Sequence, residues 1–129
     1  MTPSVKFIQR NELFPNEWYV YIDGSDTRIG YFGVYRADDS WYTDIHIKEY
    51  YRGRGYFKAI YDYYIEKLWD GRKLLARVLS ENKRALRAHI KCGFKQIGKG
   101  NHIEVFLIKN QRRGGGTASR GRQKQDKLV

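Results

Sequence analysis

Apolar and polar positions alternate with a period of two through the first half of the chain, a pattern typical of β-strands. Polar turns interrupt the alternation at Asp23-Gly24-Ser25-Asp26 and at Asp38-Asp39-Ser40. A further interval, Asn11 to Glu17, contains Pro15 and is predicted to be an irregular link. The strands predicted from this pattern cover residues 4–9, 18–23, 28–37 and 41–48.

The second half of the chain changes to a helical period. Six apolar residues fall on one face of a predicted helix over 54–69, namely Phe57, Ile60, Tyr61, Tyr64, Ile65 and Leu68. A second helix is predicted over 81–92, with Ser80 as its N-cap and Gly93 just past its end. Further strands are predicted at 73–79, 94–98 and 102–109, and the chain contains no internal repeat.

Length and composition predict one compact domain followed by a basic tail. The chain has 129 residues, of which 41% are apolar and 16% aromatic, enough to fill a single core. We expect a soluble, cytoplasmic protein. No apolar run approaches the ~20 residues of a membrane span, and the N-terminus lacks the apolar core of a secretion signal. The one cysteine, Cys92, excludes an internal disulfide and is interpreted as a packing residue.

The junction between the strand ending near Ile47 and the first helix is the clearest candidate binding site. It reads Arg52-Gly53-Arg54-Gly55, and a helix that begins after such a turn presents bare N–H groups to an anion. A Walker loop does not fit, and a dinucleotide fingerprint fails because position 58 is Lys. Taken alone, the turn predicts a phosphate site about as well as it predicts a merely tight basic turn.

A second segment, which begins at Asn82, favours the phosphate interpretation. Together the two segments resemble the GNAT superfamily of acyl-CoA N-acyltransferases. The family's Gln/Arg-x-x-Gly-x-Gly/Ala motif is matched by Arg52 and Gly55, with Phe57 where Gly or Ala is preferred. Its Asn-x-x-Ala motif with a later Gly-Phe is matched by Asn82, Ala85, Gly93 and Phe94. The resemblance covers about residues 18–109.

The resemblance implies an α/β (α+β) fold with a mixed, mostly antiparallel central sheet of about six to seven strands and two main helices. The two helices that the family usually places between its first two strands are reduced or missing, because only residues 10–18 bridge that interval. Tyr42, Asp44 and His46 share one face of their strand. A polar face on a central strand is unusual in a sheet that is covered by helices on both sides, but it is expected if the helices on one side are absent. We therefore expect an open acceptor groove, or a groove covered by a second copy in a homodimer.

The resemblance also implies which residues bind acetyl-CoA. The pantetheine arm is expected to lie along the strand that contains Ile45 and Ile47, where an N–H group polarises the thioester oxygen. The diphosphate is expected at the amides around the turn, and Asn82 belongs to the same site. The turn residues are Arg52, Gly53, Arg54, Gly55, Tyr56 and Phe57. No metal site is expected.

Candidates for proton transfer follow from the same resemblance. Family members often carry Tyr seven residues after the motif Asn, where it protonates the departing thiolate, and here that position is His89. A histidine can donate a proton near neutral pH, although its spacing is also explained by simple packing, the interpretation we favour. Asp44, His46 and Glu104 are candidates for the base that deprotonates the amine. For each of them, the interpretation as a solvated surface group is the one we favour.

The predicted function is acetyl-CoA-dependent transfer of an acetyl group to a primary amine, with a protein or another large acceptor preferred. The predicted domain covers residues 1–109. Residues 110–129 form a Gly/Arg-rich tail that holds six Lys/Arg and one Asp, is expected to be disordered, and could contact nucleic acid. A solubilising tail is an equally good interpretation. The alternative function is a non-catalytic GNAT-shaped module that binds nucleic acid or an acidic protein.

Overall fold

A single seven-stranded sheet forms the centre of the computed structural model, which describes residues 3–100 and the backbone of 103–107. The strands lie in the order β1-β2-β3-β4-β5-β7-β6. Every neighbouring pair is antiparallel except β4 and β5, which are parallel. The strands are β1 Val5–Gln9, β2 Glu17–Ile22, β3 Arg28–Ala37, β4 Ser40–Ile47, β5 Leu75–Leu79, β6 Lys95–Gly100 and β7 Ile103–Leu107.

Two helices complete the described part of the chain, α1 over Tyr56–Lys67 and α2 over Lys83–Lys91. A short 3-10 helix, Glu49–Tyr51, precedes α1. This architecture confirms the predicted fold class. The basic tail predicted for residues 110–129 lies outside the described residues, so the predicted division into domain and tail stays a prediction.

The core lies on one face of the sheet, beneath both helices. Alternate strand residues such as Phe7 and Phe32 face α1, and they contact Tyr63 and Tyr64 with ring centroids 4.5 and 4.9 Å apart. Burying each large apolar side chain contributes about 1.5–3 kcal/mol. The Tyr61 hydroxyl and the Thr43 hydroxyl share a buried hydrogen bond of 2.8 Å. That bond connects the middle of α1 to β4, the strand beside the candidate site.

The opposite face carries no helix within the described residues. The interval between β1 and β2, residues 10–16, contains only turns, closed by hydrogen bonds such as Phe14 N–H to the Asn11 carbonyl at 3.0 Å. The prediction of missing helices is thus confirmed. Charged groups and tyrosines occupy this open face. Those on β2, β3 and β4 are Glu17, Tyr19, Tyr21, Tyr31, Tyr35, Tyr42, Asp44 and His46.

The start of α2 corrects one sequence prediction. Asn82, not Ser80, is the N-cap, and its side-chain oxygen accepts a hydrogen bond from the Ala85 N–H at 3.1 Å. The strand β5 ends at Leu79, so Ser80 belongs to the turn that leads to the helix. Gly93 follows α2 with φ +87°, which confirms its predicted role as the terminating glycine. Neither described helix is long and apolar enough to span a membrane.

Candidate active site

The candidate site is a gap between β4 and β5. These parallel neighbours pair at Tyr42 with Leu75, and within the described residues no further pairing joins them beyond that point, the stretch that we call the gap. The Lys48 N–H bonds to the Ile29 carbonyl on β3 at 2.8 Å. Because peptide groups point alternately to the two sides of a strand, those of Ile45 and Ile47 face the gap instead. An extended ligand can therefore pair with this edge of β4 as an additional strand would.

The turn before α1 lies at the end of that gap. Gly53 and Gly55 adopt φ values of +73° and +90°, a region that favours glycine. Gly55 is the N-cap of α1, and no side chain among the described residues caps the helix. The first N–H groups of an α-helix have no partner within it, and they carry the positive end of the helix dipole. The turn therefore has the features of an anion site.

Arg52 and Arg54 hold the turn in shape through their side chains. The Arg52 Nε donates to the Ile47 carbonyl at 2.7 Å, which connects the turn to the end of β4. The Arg54 Nε donates to the Tyr50 carbonyl at 2.8 Å, and its guanidinium stacks 4.5 Å from the Tyr50 ring. Both arginines are exposed, so their terminal nitrogens remain accessible to an anion.

Phe57 does not obstruct this turn. Its ring packs into the core against Tyr61 and His89, with centroid distances of 5.1 and 4.9 Å. The neighbouring Tyr56 packs against Tyr51 at 5.9 Å. A large side chain at position 57, where the motif prefers a small one, is thus accommodated on the helix face that points away from the anion site.

A second group of residues lies on the open face of the sheet. Glu17 on β2 and Asp44 on β4 both stand opposite Gly33 on β3, so two carboxylates flank one glycine. The Tyr31 side chain lies across Gly33, and its hydroxyl is 2.6 Å from where a Cβ would be. Burial raises the pKa of Tyr31, and the charges of Glu17 and Asp44 raise it further. Arg10 pairs with Glu17 at 2.7 Å.

A comparison of the sequence with models of protein families identifies the family of this chain. The model of the family described as "Acetyltransferase (GNAT) family" matches residues 2–94. The chain belongs to this family. Membership identifies the protein as an acetyltransferase enzyme, and the observed fold agrees with it. No relative among curated proteins matches the chain.

Solved structures share the fold at low sequence identity. An acetyltransferase of the GNAT family from Bacillus cereus is 18% identical with a TM-score of 0.63, over 76% of this chain and 72% of the other. The N-acetyltransferase PseH from Campylobacter jejuni, in complex with acetyl coenzyme A, is 16% identical with a TM-score of 0.60, over 74% and 67%. Spermidine N-acetyltransferase from Vibrio cholerae, in complex with CoA and spermine, is 21% identical with a TM-score of 0.54, over 70% and 62%.

The residues of this GNAT chain fit acetyl-CoA. The unpaired edge of β4 suits an extended pantetheine arm, and the uncapped start of α1 suits a diphosphate. Asn82, which was predicted to bind the coenzyme, also has a structural role, because its side-chain oxygen caps α2. Its place at the head of that helix nonetheless keeps it among the residues predicted to contact the coenzyme.

His89 lies in the core between the two helices. Its side chain is only 3% exposed, its Nδ1 is 2.8 Å from the Ala85 carbonyl, and its ring contacts Phe57, Tyr61 and Phe94. Burial lowers the pKa of His89, so the neutral form is favoured at pH 7. These contacts favour a packing role. A role as the leaving-group acid remains a prediction.

The predicted base candidates occupy different places. Asp44 and His46 are both exposed on the open face of β4, next to the edge that forms the gap. Glu104 lies on β7, where its backbone pairs with Val78 and Lys99, and its side chain is outside the described part of the chain. The structure thus brings Asp44 and His46 together on one face, whereas His89 lies on the other side of the sheet.

Cys92 gives no sign of being a nucleophile. It ends α2 and is partly buried, and burial raises the pKa of its thiol to about 11. A thiol with a raised pKa holds little thiolate at neutral pH. This agrees with its interpretation as a packing residue.

Sequence reasoning did not find Glu17 and Tyr31. The period of two places each of them on a strand face, but only the register between β2, β3 and β4 shows that they adjoin Asp44. The period alone does not fix that register, because it also depends on turn geometry and on irregularities such as the register shift between Val20 and Tyr21. The nearest sequence signal was Gly33, a glycine inside a predicted strand, which often marks a close approach by another group.

Proposed function

We propose that this protein transfers an acetyl group from acetyl-CoA to a primary amine, by direct attack of the amine on the thioester carbonyl. The C–N bond forms, the C–S bond breaks, and CoA leaves as a thiolate that takes up a proton. The observation that carries the proposal is the gap beside β4, which leads to the uncapped start of α1. When bound, acetyl-CoA supplies the activated acyl group. The remaining tasks fall to the residues of the chain.

The first task is to bind the donor and polarise its carbonyl. The amides at the start of α1, with Arg52 and Arg54 beside them, are proposed to bind the diphosphate. The N–H groups of Ile45 and Ile47 face the gap, so either can donate to the thioester oxygen. One donor of this kind is typically worth ~3 kcal/mol at the transition state.

The second task is to remove a proton from the amine, which is cationic in water. Asp44 and His46 are proposed as the groups that accept it, directly or through water, because they lie on the open face beside the gap. Glu104 remains a third candidate. General-base catalysis of this kind typically contributes about 10²- to 10⁴-fold in rate.

The acceptor is proposed to be a cationic amine that approaches over the open face. Because residues 10–16 form turns, this face has no helix in the part of the chain that the structure describes, which suits a large acceptor such as a lysine side chain of a protein. The carboxylates of Glu17 and Asp44 suit an ammonium group. The spermidine acceptor named for the Vibrio cholerae relative makes a polyamine the second class to test.

The test is an assay with labelled acetyl-CoA and three acceptor classes: lysine-containing peptides, spermidine and an amino sugar. A cell lysate serves as a fourth source of acceptors. We expect labelling of at least one cationic acceptor. The Asp44→Asn variant should reduce kcat about tenfold or more, whereas the exposed turn variant Asp26→Asn should not. Failure to label any acceptor, lysate included, would contradict the proposal.

A further inference from the structure

The starts of the two helices converge on the anion site. Arg84 is the second residue of α2 after its N-cap Asn82, and its guanidinium lies against the turn before α1. A Cβ placed on Gly53 would be 3.3 Å from the Arg84 Nη2. Since Gly53 has no side chain, this guanidinium can lie directly on the backbone of the turn. Sequence reasoning did not single out Arg84.

Arg84 differs from the two arginines of the turn in how its donors are used. The Nε–H groups of Arg52 and Arg54 already donate hydrogen bonds to backbone carbonyls, those of Ile47 and Tyr50 respectively. Among residues 3–100, the Arg84 side chain makes no hydrogen bond or ion pair. Three guanidinium groups around one turn repel one another unless an anion lies between them. The donor fork of Arg84 is therefore available to a ligand.

We infer that Arg84 is a further residue that binds the diphosphate of acetyl-CoA, an inference that rests on the proposed function. The diphosphate is favoured over the 3′-phosphate of the coenzyme because Arg84 meets the turn at Gly53, two residues before the N-cap of α1. A planar guanidinium matches two phosphate oxygens at once, which an ammonium group cannot do. Arg84 thus joins the start of α2 to the donor site.

The experiment compares Arg84→Gln with Lys91→Gln. Lys91 is exposed in the last turn of α2, so its variant makes the same change in net charge at the other end of the helix. CoA dissociation constants are measured calorimetrically, and KM and kcat are measured with acetyl-CoA. Acetyl-dephospho-CoA, which keeps the diphosphate but lacks the 3′-phosphate, serves as the second donor. Thermal melting checks that each variant is folded.

For Arg84→Gln we expect an increase of about tenfold in Kd and KM with little change in kcat. The increase should be equal for both donors, and the salt dependence of CoA binding should become shallower. Lys91→Gln should match the wild type, and Arg84→Lys should recover part of the affinity.

Two results would overturn the inference while leaving the proposed function intact. One is unchanged CoA affinity in Arg84→Gln. The other is a loss that disappears with acetyl-dephospho-CoA, since that would assign Arg84 to the 3′-phosphate. A wild-type protein that does not bind CoA at all would instead overturn the proposed function, and this inference with it.

Discussion

At the scale of a residue, a variant of His89 can distinguish a packing role from a catalytic role. The pKa of His89 is held below its usual 6.5 by burial, so the folded protein binds fewer protons than the unfolded chain at mildly acid pH. The contribution of His89 to stability is present in full above pH 6.5 and is lost as the pH falls toward the lower folded pKa. We predict that His89→Phe leaves turnover unchanged and makes the unfolding free energy less dependent on pH between 5 and 7. Reduced turnover in a folded variant would restore His89 to the mechanism.

Individual residues were predictable where one element decides their environment. The helical period placed Tyr61 and Phe57 on the core face of α1, and both are packed there. Asp44 and His46 share a face of β4 for the same reason. Arg84 was not predictable, because its position against Gly53 depends on how two helix starts approach each other across about thirty residues of sequence. Local periodicity carries no such information.

At the scale of an element, the start of α1 depends on a glycine that no other residue replaces without strain. Gly55 has φ +90°, and a Cβ there would be 3.2 Å from the Pro3 Cδ. Gly71 is a matched control, with φ +88° and nothing within 4 Å. We predict that Gly55→Ala and Gly71→Ala each cost about 1–2 kcal/mol of stability, and that only Gly55→Ala weakens CoA binding. Equal CoA affinity in the two variants, measured by calorimetry, would argue against an anion site at this turn.

Element boundaries were predicted to within two residues throughout the described chain, because a change of period or a turn residue marks each one. The gap between β4 and β5 had no such signal. The resemblance predicted only that the pantetheine arm lies along β4, because the alternation within a strand does not show where its pairing with a parallel neighbour ends. The prediction of Ser80 as the N-cap was wrong because a turn of three residues separates β5 from α2. Asn82, the last residue of that turn, is the one whose side chain reaches the Ala85 N–H.

At the scale of the whole molecule, one face of the sheet is a helical core and the other is an open surface of tyrosines and charges. A second copy could cover that surface, and the basic residues of 110–129 could contact nucleic acid; both remain predictions.

The net charge of the chain has a more direct consequence for the binding of acetyl-CoA. The formal net charge is +11, whereas CoA is strongly anionic. Opposite net charges raise the rate of encounter, and salt screens that attraction.

We therefore predict that the association rate constant for acetyl-CoA falls as NaCl is raised from low to physiological concentration, while the dissociation rate changes less. A chain truncated after Lys109 loses the six Lys/Arg and one Asp of residues 110–129, a net +5 of the +11. Its association should be slower at low salt and less sensitive to salt. Stopped-flow fluorescence with a labelled CoA measures both rates, and Lys91→Gln serves as the single-charge control. An association rate that is the same for the truncated and full chains would show that the charges of residues 1–109 are sufficient to attract the coenzyme.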